Sequence, residues 1–173
     1  MPIIAVKKMG EESLLVPSLK VENYSSEALY ALIEDMKATM KVEDGIGIAA
    51  PQIGCNQRIV IFGFEHSDRY PDENAIPFTV LINPTIKPLS EEMEDGWEGC
   101  LSIPGMRGLV PRYTHIEYSG FDVEGNEFLR SVKGFHARVV QHEVDHLDGI
   151  LYPHRIKDMR FFGFQDVLFD KTS

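Results

Sequence analysis

Positions 142 to 146 read His142-Glu143-Val144-Asp145-His146. Two imidazoles at that spacing reach one metal ion when the chain between them is helical, because residues four apart share a helix face. The same face extends backward. Phe135, Val139, His142 and His146 stand at i, i+4, i+7 and i+11, so the spacing predicts a helix over Phe135–Leu147 that stops at Gly149. On that helix Glu143 stands beside any water bound by the pair, the arrangement of a hydrolytic zinc-type site. A polar helix with surface histidines is the plainer alternative.

The other elements fall around it. From Ser25 or Ser26 to about Met40, Leu29, Leu32, Ile33, Met36 and Met40 recur at helical spacing behind a serine cap, and their apolar face needs a sheet to cover it. Strand signals follow at Arg58–Phe64, Phe78–Ile82, Leu109–Val110, His115–Phe121 and Phe128–Val132. Val123–Asn126, with Gly125, reads as a hairpin turn, and the acidic stretch Ser90–Asp95 as a solvated loop. Strands first and a long helix last give an α+β class. With no repeat, linker or low-complexity tract, residues 1–173 read as one domain.

Two imidazoles leave a tetrahedral site short of a protein ligand. Peptidases with this motif find a third His or Glu downstream, but His154 lies eight residues after His146, beyond Gly149 and Pro153. Upstream, Glu98-Gly99-Cys100-Leu101-Ser102 offers a thiol, either as a metal-bound thiolate or as an inert buried cysteine. A third segment, Gly45-Ile46-Gly47-Ile48-Ala49-Ala50-Pro51-Gln52, lacks the spacing of a phosphate loop, and Pro51 opposes a helix there. Its small residues permit close approach beside a ligand, with Gln52 as an amide donor. Spacing alone leaves it open as a structural or a substrate-binding loop.

Taken in order, the three segments resemble the three motifs of peptide deformylases, and the similarity runs from about the first helix through Leu151, with Arg107 and Val110-Pro111-Arg112 included. The resemblance implies antiparallel strands surrounding the helix that carries the H-E-x-x-H motif, with Cys100 joining His142 and His146 on the metal. It implies ferrous iron as the ion, with zinc, nickel or cobalt able to take its place. The substrate it implies is the formyl-methionyl end of a nascent chain, with formate released. Glu143 would take a proton from the attacking water, and Gln52 with the Leu101 N–H would face the developing oxyanion. Ile46 and Gly47 on one side, and Phe135 and Val139 on the other, would line the methionine pocket. The other readings are a metallopeptidase using the same two histidines and a non-catalytic metal-binding relative.

Charge narrows the partners. With 17 Lys and Arg against 27 Asp and Glu, the net charge is −10, which opposes broad attraction to phosphate backbones or anionic lipid. No apolar stretch approaches the roughly 20 residues of a membrane span and no leader pattern opens the chain, so it reads as cytoplasmic, with an organellar origin left open. Cys55 and Cys100 are then expected to stay unpaired, Cys55 as a small packed hydrophobe. Asp145 reads as a fold-supporting carboxylate, with orientation of a metal ligand through a hydrogen bond as the alternative, Glu98 as a fixer of the cysteine loop, and Arg107 and Arg112 as carboxylate partners or solvated surface residues. Many bacterial relatives end in a basic helix that docks on the ribosome. This chain has instead Tyr152–Ser173, with Phe161, Phe162, Phe164, Leu168 and Phe169, which reads as a buried or paired tail. Only transient proximity to the ribosome is expected.

Overall fold

The computed structural model describes residues 3–169. The two ends of the expected 1–173 domain, including the last four residues of the tail, lie outside them. Helix α1 spans Glu27–Val42, and the Ser26 hydroxyl caps it by accepting from the Leu29 N–H at 3.2 Å. Strand β1 is Gly47–Ala49, followed by a 3-10 turn at Ala50–Ile53, and β2 is Ile59–Phe64. Next come β3 (Ile76–Pro88), β4 (Met93–Cys100), β5 (Ile103–Tyr113), β6 (His115–Phe121) and β7 (Glu127–Lys133). Helix α2 is Gly134–Leu147, and β8 (Phe162–Phe164) and the one-turn α3 (Gln165–Leu168) finish the described chain.

The strands form two antiparallel sheets, a five-stranded one ordered β1-β2-β3-β6-β7 and a three-stranded one ordered β4-β5-β8. Residues on β2 alternate between two cores. Val60 and Phe62 face Ala137, Val140, Val144 and Leu147 of α2, whereas Ile59 and Ile61 face Leu29, Ile33, Met36 and Met40 of α1. This two-sided burial is why the strand reads as a continuous apolar run. The opposite side of α2 meets the smaller sheet, where the Gln141 amide exchanges both hydrogen bonds with the Tyr113 backbone at 3.1 and 2.9 Å. The strands thus surround the metal-motif helix, as the resemblance implies.

Helix α2 ends where the spacing places it. Gly149 has φ +73°, and a Cβ there would lie 2.5 Å from the Leu15 carbonyl oxygen, so the position needs glycine on both counts. The hairpin turn also stands, with Gly125 at φ +87° and the Asp122 carboxylate accepting from the Glu124 and Asn126 N–H groups. Other expectations need correction. Met93–Asp95 are exposed but not loop, since they open β4 and pair with Tyr113, Arg112 and Pro111. Strand β5 runs well beyond Leu109–Val110, because Pro104 and Pro111 lie outside Met106–Gly108, the only part that β8 pairs. The tail is paired through β8 rather than buried, for Phe161, Phe164 and Phe169 are exposed. Among the described residues no helix is long and apolar enough to cross a membrane.

Candidate active site

The last residue of β4 and the C-terminal half of α2 bring three ligand atoms together. Those of Cys100, His142 and His146 all lie within 4.8 Å of one another, with Cys100 Sγ 3.4 Å from His146 Nε2. His142 points its Nδ1 at Glu98 Oε1, 2.8 Å away, which leaves Nε2 to face the thiol and the second imidazole. His154 is not in this group; its Nδ1 accepts from the Leu151 N–H. One thiol and two imidazoles at such distances are a donor set for a single divalent cation. Burial disfavours a charge on His142, yet its bonds to Cys100 and Glu98 prevail and hold it well above the usual histidine range. The position therefore favours positive charge. At His146, burial prevails and pushes the ring well below that range.

Glu143 lines the same cleft as Cys100 and His142 at 5% exposure, with Oε2 making no hydrogen bond, and burial pushes its carboxyl up to about 7. An orphaned buried carboxyl oxygen beside three ligand atoms suits a group that meets a water there. The space for it comes from Gly47, where a Cβ would lie 2.4 Å from Glu143 Oε1. Gln52 is also buried; its Oε1 accepts from the Ala49 N–H at 2.9 Å, and its Nε2 donates to Ser102 Oγ at 3.0 Å and toward Cys100 Sγ at 3.5 Å. The segment left open between structural and site loop is both, since β1 pairs with β2 while Ile46, Gly47 and Gln52 line the cleft.

That cleft opens to solvent. Phe135, Val139 and His142 line it from one helix face, Ile46 and Leu101 from the facing segments, while His146 lies deeper. Tyr70 braces Phe135 at a ring distance of 5.0 Å and Phe64 does so at 6.1 Å.

Behind the ligands runs a buried ionic chain. Glu98 takes Arg112 in a bidentate pair, both contacts at 2.9 Å, and Arg138 at 2.8 Å. Burial alone would raise the Glu98 carboxyl, but the Arg112 charge and hydrogen bonds outweigh it and hold the group well below the usual carboxylate range. Asp145 joins Arg112 to Arg155, three contacts away from His142 through Arg112 and Glu98. Arg107 is buried too, with its guanidinium against Gly99 and over the Tyr70 ring. The solvated alternative for both arginines is thus excluded. Asp148 pairs with Arg58, and Cys55 is half-buried against the α1 core.

Sequence reasoning passed over Arg69, Tyr70, Trp97 and Arg138. The first two come from the excursion between β2 and β3, which carries no motif. Arg138, one turn before His142, was within reach of the helix-face argument.

Comparison with known proteins agrees with this geometry. A model of the polypeptide deformylase family matches residues 3–161. Peptide deformylase 1 of Nitrosomonas europaea is 60% identical over 164 residues, covering 95% of this chain and 93% of the relative. Peptide deformylase 1 of Bordetella pertussis is 60% identical over 167 residues, covering 96% and 95%. The solved Met-Ala-Ser-bound class I type b peptide deformylase of Acinetobacter baumannii superposes with TM-score 0.86 at 40% identity, covering 90% of this chain and 99% of that one. With its family motifs gathered around one cleft and its relatives matched nearly end to end, the chain belongs to the polypeptide deformylase family.

Proposed function

We propose that residues 1–173 act as one catalytic domain that hydrolyses the N-formyl group of formyl-methionyl nascent peptides in the cytoplasm, with Cys100, His142 and His146 holding ferrous iron. The observation that carries this is the three-ligand cluster with the orphaned Glu143 carboxyl in the same cleft. Thiolate and imidazole suit iron, zinc, nickel and cobalt alike, and iron is the ion the family resemblance implies. Held by these side chains, a divalent metal supplies Lewis-acid activation, lowering the pKa of water from about 16 toward 7. Glu143 accepts the proton of the attacking water and returns it to the amine nitrogen as formate leaves. The Leu101 N–H donates to the oxygen that gains charge at the formyl carbon, joined by the Gln52 amide once its second hydrogen turns away from Cys100 Sγ. Glu98 fixes the His142 ring through Nδ1, as partners of ligating histidines do.

Met-Ala-Ser, bound by the Acinetobacter baumannii relative, is what deformylation of formyl-Met-Ala-Ser would leave. Formate release from that peptide, lost on chelation and regained with one equivalent of ferrous ion per chain by metal analysis, is the expected result. Cleavage of a peptide bond instead would transfer the chain to the metallopeptidase reading.

The methionine side chain enters between Ile46 and the Phe135–Val139 face. Val139→Trp fills that space, so kcat/KM is expected to fall on the order of tenfold more for formyl-Met than for formyl-Ala peptides. An equal loss on both would make Val139 a residue of the core alone, to which its 5% exposure also fits.

A further inference from the structure

Trp97 is the chain's single tryptophan, and it lines the cleft from β4 just before Glu98. Its ring is met edge-on by two others, Phe161 at 6.5 Å and 69° and Phe169 at 5.1 Å and 85°, a favoured geometry for aromatic pairs. Neither phenylalanine lines the cleft; they are 45% and 42% exposed. Both belong to the segment after α2, which the smaller sheet holds by pairing Phe162–Phe164 with Met106–Gly108. Two large aromatic side chains thus remain at the surface with their edges on one indole.

The position of that indole gives the contact a use. Trp97 precedes Cys100 by three residues on β4, a span of at most about 10 Å because the register shifts between Glu98 and Cys100. A peptide with its formyl end at Cys100 carries its second or third residue at that distance.

We propose that Phe161 and Phe169 are positioning residues which hold the Trp97 indole as the wall meeting the side chains that follow the formylated methionine. The inference rests on the deformylase reading. It makes the C-terminal segment a determinant of preference beyond the first residue, without contact with the reacting atoms.

The test compares formyl-Met-amide with formyl-Met-Ala-Phe. In Phe169→Ala and Phe161→Ala proteins, KM for the tripeptide is expected to rise about fivefold with kcat unchanged, while formyl-Met-amide kinetics move less than twofold. Phe169→Tyr keeps the ring edge and should restore the tripeptide KM. Trp97 also reports directly, since binding of the product Met-Ala-Phe should shift its fluorescence in the unsubstituted protein, and more weakly in the alanine variants. Equal rises on both substrates, no rise on either, or an emission indifferent to the product peptide overturns the brace. Absence of formate from both substrates with the unsubstituted protein would overturn the deformylase reading itself, and shows before any variant is compared. Should Phe169→Ala fail to fold, Phe161→Ala and Phe169→Tyr carry the comparison.

Discussion

Glu143→Gln is expected to lower kcat by about 10³-fold, the middle of the range for a lost proton-transfer group, while the protein still binds one metal ion. The amide has the size of the carboxyl and fits the gap against Gly47. It cannot accept a proton. Because His142, His146 and Cys100 keep their places, metal analysis should read the same for both proteins. KM should change little, since the loss falls on the transition state. Turnover at the original rate by a metal-loaded Glu143→Gln protein would remove Glu143 from its assigned role.

Arg112→Met should be among the most destabilising single changes. Arg112 is 3% exposed and its guanidinium lies between Glu98 and Asp145; its removal takes one cation from two buried carboxylates and leaves Glu98 with Arg138 and Asp145 with Arg155. Breaking a buried pair from one side costs about 3–5 kcal/mol, readable as a shift in the urea midpoint. Arg155→Met, which removes a 43% exposed side chain from the same Asp145, should cost no more than about 1 kcal/mol. Similar midpoints for the two variants would show that the chain carries no such stability. The pH dependence has a definite sign. Glu98 has a depressed native pKa, so its contribution is full above the unfolded value near 4.3 and is lost as pH falls through the native one. The stability deficit of Arg112→Met relative to the unsubstituted protein should therefore narrow as the pH falls below that unfolded value.

The site was more legible than its support. Helix α2 could be read because metal geometry and core packing impose the same period on Phe135, Val139, His142 and His146. Strand β4 could not, because its outer residues Met93, Glu94 and Asp95 are exposed on an edge and show no apolar alternation. Pro104, Gly105 and Pro111 broke the pattern of β5, although each sits where β8 leaves the strand unpaired. The chain from Arg155 to His142 joins residues up to 44 positions apart, a pairing that no local pattern encodes. Trp97 adjoins a motif residue, but its aromatic partners come from a tail whose pattern promised only pairing or burial.

The fit between Gly47 and Glu143 also bears on heredity. A gene that acquires any side chain at position 47 pushes the carboxylate out of its place, and Asp at 143, one methylene shorter, trades the clash for lost reach. Revertants of a substitution at 47 should therefore regain glycine itself rather than a second-site change at 143.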